Sequence, residues 1–92
     1  MTITFRYTSQ LAAAAGFSKE IVEFQEGMDL LSLLRELSAN HGPEFAKFIV
    51  NEDGEIVPTL VVALNESQVS FEKILAVEIG DEVMLITPMS GG

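Results

Sequence analysis

The chain has no cysteine, no tryptophan, only five lysines and arginines, and no apolar run that approaches membrane-spanning length. Without cysteine there are no disulfides, no thiolate metal sites and no cysteine nucleophile, so any sulfur chemistry must take place on another group. The basic residues Arg6, Lys19, Arg35, Lys47 and Lys73 are scattered, whereas phosphate contacts need concentrated positive surface; this argues against nucleic acid as a partner. The amino-terminal stretch Met1-Thr2-Ile3-Thr4-Phe5-Arg6 lacks a basic region followed by an apolar signal segment. No membrane association and a cytoplasmic location are therefore the expectation.

What is present is a chain of 92 residues, 48% of them hydrophobic, enough for one modest core. One domain spanning residues 1–92 follows. Fourteen acidic side chains against five basic ones give a formal charge of -9, which favours partners with positive surface or serves solubility alone.

Apolar Ile3, Phe5 and Tyr7 alternate with Thr2, Thr4 and Arg6, the period of a half-buried strand. Leu11 and Ala12 to Ala15, closed by Gly16, read as a short helical turn. The stretch Glu20 to Gln25 is β-branched and aromatic around Ile21-Val22-Glu23-Phe24, and Glu26-Gly27 turns it. Asp29 stands at an N-cap position before Leu30, Leu33, Leu34 and Leu37, spaced i, i+3, i+4, i+7; this is an amphipathic helix closing near His41, with Gly42-Pro43 as its stop.

Phe45, Phe48 and Ile49 read as apolar contacts in a connecting stretch, and Asn51-Glu52-Asp53-Gly54 as a turn cluster. The run Leu60-Val61-Val62-Ala63-Leu64 fits a central strand apolar on both faces. After Asn65-Glu66 come a short strand around Gln68 to Phe71 and a loop with Ile74, Leu75, Val77 and Ile79. Gly80-Asp81 then leads into a last strand, Glu82 to Thr87. The order β-β-α-β-β-β is an α+β domain in which the leucine stripe covers Phe5, Val62, Leu64, Val83 and Leu85.

The chain closes on Pro88-Met89-Ser90-Gly91-Gly92. Two terminal glycines carry no Cβ and pass through a channel too narrow for side chains, which suits a flexible tail (88–92) delivering a carboxylate into another protein's active site. A carboxylate reacts with nucleophiles only once activated, for example as a mixed anhydride with AMP, and sulfur attack there yields a thiocarboxylate.

With that tail after that strand order, the sequence resembles the MoaD/ThiS sulfur-carrier proteins, which are ubiquitin-like β-grasp domains ending in Gly-Gly. The resemblance covers essentially the whole length. It is carried by Asp29-Leu30 followed by Leu33-Leu34, Leu64-Asn65, Gly80-Asp81-Glu82-Val83 and Pro88-Met89-Ser90-Gly91-Gly92. It implies a mixed sheet of four to five strands with one main helix packed across it. It further implies that Gly92 is adenylated by a ubiquitin-activating-type adenylyltransferase and thiocarboxylated, with Gly91 threading the channel. ATP would be used by that activating partner, and this chain would bind no cofactor.

Within the family, tail and length resemble the small subunit of molybdopterin synthase, implying a large catalytic subunit as partner and a role in molybdenum cofactor biosynthesis. The chain would then be the non-catalytic subunit of a sulfurtransferase. Thiamine, cysteine, thiolated tRNA and the tungsten pterin are other acceptors, and conjugation of Gly92 to a lysine, as in a protein modifier, is the alternative. A plain interaction domain with an inert tail is the third reading.

On the last strand Met84 and Ile86 point away from Val83 and Leu85, and both sets are apolar. One set faces the helix; the other needs cover from a loop of the chain or from a partner. The expected contact set is Met84, Ile86 and Met89 with Val69, and Pro88 and Ser90 beside the glycines. His41, the only histidine, has a structural place in the last helical turn. Glu52, Asp53 and Glu55 lack the spacing of a calcium loop and read as a solvated turn, so no metal is expected.

Overall fold

In the computed structural model, residues 1–71 and 75–87 are described. The elements are β1 (Thr2–Tyr7), α1 (Ser9–Ala15), β2 (Lys19–Glu23), α2 (Leu30–His41), α3 (Pro43–Ala46), β3 (Val61–Leu64), β4 (Ser67–Val69) and β5 (Glu82–Ile86). They form one five-stranded sheet in the order β2-β1-β5-β3-β4. The pair β1–β5 is parallel and the other three pairs are antiparallel, so the sheet is mixed.

Alternation decides which side chains enter the core. Ile3, Phe5 and Tyr7 of β1, Val62 of β3, and Val83 and Leu85 of β5 are buried on one face, against Leu30, Leu33, Leu34 and Leu37 of α2. Each such side chain contributes about 1.5–3 kcal/mol on full burial. Leu64 shares that face, opposite Val83, and packs on the core while half-buried. The leucine stripe and its sheet partners thus sit where the sequence pattern puts them. The Asp29 carboxylate accepts the Ser32 backbone N–H at 2.8 Å, which caps α2. That hydrogen bond holds its carboxyl below the usual carboxylate range.

Three expectations are revised. β5 holds the sheet centre and the run at 60–64 lies one strand further out, because β5 pairs with both β1 and β3. The stretch after Gly42 begins as helix α3 rather than as an irregular connection, with Pro43 at its first position. A proline there stops the preceding helix and starts the next, since its missing N–H has no intrahelical partner to lose. The Leu11-Ala15 segment is a true helix, ending at Gly16 with φ 89° and its N–H bonded to the Ala12 carbonyl at 2.9 Å.

Glu20 ties the helix end to the sheet. Its Oε2 accepts the Tyr7 hydroxyl at 2.6 Å and lies 2.8 Å from His41 Nε2. The His41 ring packs on Phe45 with centroids 4.5 Å apart, and Tyr7 meets Phe45 edge-on at 5.2 Å. Burial, and then the Glu20 hydrogen bond and charge, push the Tyr7 phenol well above its ordinary range.

Candidate functional site

The two faces of β5 have different fates. Val83 and Leu85 are fully buried under α2, while Met84 and Ile86 are half-exposed on the opposite face. Register places Met84 between Arg6 of β1 and Ala63 of β3, and Ile86 beside Val61. All three apolar neighbours available on β3 and β5 are therefore contiguous: Ala63, Val61 and Ile86 surround Met84 across two adjacent strands. Arg6 borders them, its Nε 3.5 Å from the Glu82 carboxylate, and a groove of about 250 Å3 beside Met84 is lined by Arg6, Tyr7, Thr8, Ser18 and Lys19.

Val69 does not join this face. It pairs with Val62 and packs on the core, so its side chain lies on the helix side of the sheet. Counting strand parity through the Asn65-Glu66 turn gives this result, because Val62 and Val69 are cross-strand partners. Ala63 and Val61 are the members that sequence reasoning missed. The signal was present in the alternation of β3, once β3 is placed beside β5. Met89, Pro88, Ser90, Gly91 and Gly92 lie outside the described residues, as does Ile74.

A polar clasp fixes where β5 begins. Asn65 donates from Nδ2 to Asp81 Oδ1 at 2.9 Å, and its Oδ1 accepts the Glu82 backbone N–H at 2.9 Å. Its own N–H reaches the Glu82 carbonyl at 2.8 Å, and Asp81 Oδ2 accepts the Glu78 N–H at 2.8 Å. The β3–β4 loop is two residues long with φ 50° at Asn65 and φ 74° at Glu66, the left-handed pair of a type I′ hairpin. The Leu64-Asn65 and Gly80-Asp81-Glu82 segments, far apart in sequence, are thus in direct contact. At the other end of β5 Thr87 is buried, and its Oγ1 has no partner among the described residues.

Among the described residues no cluster of His, Asp or Glu is suited to hold a metal ion. In the acidic turn, Asn51 Oδ1 accepts the Asp53 and Glu55 backbone N–H groups at 2.9 and 3.0 Å, and Arg35 Nε donates to the Gly54 carbonyl at 2.8 Å. The Asn51 side chain from within and the Arg35 guanidinium from α2 thus organise that loop. No described helix is long and apolar enough to cross a membrane.

A mixed five-stranded sheet crossed by one main helix, with the central strand carrying an apolar outer face, defines a ubiquitin-like β-grasp domain. The ThiS family profile matches residues 5–92, and the chain belongs to that family of ubiquitin-like sulfur carriers. Among solved structures, SAMP1 from Haloferax volcanii is similar with a TM-score of 0.87 and 25% identity, over 100% of both chains. A putative molybdopterin converting factor subunit 1 from Pyrococcus furiosus gives a TM-score of 0.69 at 25% identity, over 97% of this chain and 99% of that one. Urm1 from Trypanosoma brucei, at 21% identity with a TM-score of 0.79 over 99% and 95% of the two chains, shares the fold. No curated protein matches the chain in sequence.

Proposed function

We propose that the chain carries sulfur on the carboxylate of Gly92 and delivers it as the small subunit of a molybdopterin synthase. The carboxylate oxygen attacks the α-phosphorus of ATP held by an adenylyltransferase, and pyrophosphate leaves. A sulfide-level nucleophile then forms the C–S bond as the bond to AMP breaks. Transfer of that sulfur to the pterin precursor in a large catalytic subunit, with water supplying the replacement oxygen, returns the carboxylate. The folded body binds partners and presents the tail; ATP and acceptor are held by others.

The observation that carries this reading is continuity along β5. The strand whose outer face offers Met84 and Ile86 leads in sequence straight into Pro88-Met89-Ser90-Gly91-Gly92, and the family match runs through Gly92. A partner gripping the apolar face would have the tail within reach, since five residues extend by at most about 17 Å. Likeness to the molybdopterin converting factor of Pyrococcus furiosus over nearly the full length supports the choice of acceptor.

The second reading, a modifier joined through Gly92 to a target lysine, is favoured by the similarity to SAMP1, a small archaeal modifier protein. The test uses the native activating enzyme with ATP. The full chain should support ATP–pyrophosphate exchange, and a chain ending at Ser90 should not. Sulfur appearing in the pterin product supports the synthase role, whereas lysine-linked conjugates without pterin sulfuration would replace it with the modifier reading.

A further inference from the structure

β2 is an edge strand, and its free side carries a pattern that matches itself. In the β1–β2 pair, Tyr7 donates to the Ser18 carbonyl and Phe24 to the Met1 carbonyl. Antiparallel pairs alternate between bonded and non-bonded residues, so Ser18, Glu20, Val22 and Phe24 spend their backbone groups on β1. The N–H and C=O of Lys19, Ile21 and Glu23 therefore point to the open edge. Among the described residues nothing pairs with that edge. Ile21 is 69% exposed at its middle.

We propose that this edge pairs with the same edge of a second copy of the chain, antiparallel about a two-fold axis at Ile21. Only odd-numbered residues face outward here, which limits the possible registers. Centring on Ile21 sets Ile21 against its counterpart, and Lys19 of each copy against Glu23 of the other, twice. Shifting by one step in either direction centres the pair on Glu20 or on Val22, removes the opposed Lys19–Glu23 pairs, and in the first case sets Glu20 against Glu20. Shifting further sets lysine against lysine or glutamate against glutamate. Opposite charges directly across an antiparallel pair attract and like charges repel, so one register alone is favoured.

The surroundings tolerate this arrangement. The Glu20 carboxylate is already turned toward Tyr7 and His41. The groove of about 310 Å3 between β2 and α2, lined by Val22, Leu33, Leu37 and Asn40 with Glu23 and Glu36 at its rim, lies on the helix side of this edge and leaves room for Val22 of the second copy opposite Glu20. The apolar face of β5 stays open, because β1 separates β5 from the edge. The formal charge of -9 on each copy and the Glu36 carboxylates oppose association. Pairing over five residues also buries less than the roughly 1,200 Å2 of lasting complexes, so the dimer is weak and forms at high concentration.

Sedimentation of the full chain at rising concentration, at near-physiological salt, tests the proposal. Wild type should self-associate as a dimer. Lys19→Glu alone and Glu23→Lys alone should each lose about tenfold or more in association, since both cross-strand pairs turn repulsive. An equimolar mixture of the two variants should recover the dimer, because one supplies two acidic and the other two basic side chains at opposed positions. Both sites are exposed, and circular dichroism of each variant confirms its fold. A chain that stays monomeric at millimolar concentration, single variants that associate like wild type, or a mixture that fails to recover the dimer overturns it. So does an edge occupied only by an added basic peptide.

Discussion

Replacing Asn65 with alanine removes the clasp at the start of β5 and leaves the strand pairings otherwise intact. Two side-chain hydrogen bonds are lost, to Asp81 Oδ1 and from the Glu82 N–H, both 2.9 Å long. At an exposed site each counts near the low end, about 0.5–1 kcal/mol. Alanine must also take φ 50°, where asparagine is tolerated, at roughly 1 kcal/mol more. The total is about 2–3 kcal/mol, or roughly 10–20 °C in Tm for a domain of this size. Urea unfolding followed by circular dichroism measures it. Asn65→Gly keeps the left-handed backbone while losing the side chain, so it should recover about 1 kcal/mol of that loss. A change below about 0.5 kcal/mol for Asn65→Ala would show that the clasp contributes nothing and that β5 is set by its strand pairing alone.

Charges at the outer face, Met84→Asp and Ile86→Asp, should weaken binding to the activating enzyme at least about tenfold in a titration while Tm moves little; unchanged affinity removes that face from the account. Asp29→Ala should cost about 1 kcal/mol by removing the cap of α2. Because the folded Asp29 pKa is depressed, its contribution is complete above the unfolded value and fades as pH falls through the folded one; in Asp29→Ala that part of the acid dependence should vanish. Tyr7 is the only tyrosine and its folded pKa is raised, so its stabilisation is complete below the unfolded value of about 10 and declines as pH rises above it. Tyrosinate absorbance should therefore appear together with loss of the fold, and a phenol that ionises near its ordinary value in the folded protein contradicts the burial of Tyr7 together with its Glu20 contact.

Much of this architecture is legible in the sequence because two periods separate cleanly. The 2-residue alternation of Ile3, Phe5 and Tyr7 and the helical spacing of Leu30, Leu33, Leu34 and Leu37 each commit one face to the core, and the structure buries those seven side chains. What the pattern does not carry is neighbour order. An apolar run such as 60–64 looks the same in the centre of a sheet or next to its edge, which is why it reads as a central strand although β5 holds the middle place and β3 lies between β5 and β4. The same gap misplaced Val69, whose face follows from pairing with Val62 and not from its own flanks. Asn65 and Asp81 were readable only as turn residues, because their contact joins two loops that meet at one end of the sheet but lie 16 residues apart in the chain. Met84 and Ile86 could be named from β5 alone, whereas their companions Val61 and Ala63 needed the β3–β5 register.

The chemical state of Gly92 decides whether the chain carries sulfur. Intact mass of the chain recovered from sulfur-replete cells that hold its native pathway should show a population with one oxygen replaced by sulfur, and fragmentation should place the change on the last residue. A chain found only as the plain carboxylate, or sulfur located anywhere else, would contradict it.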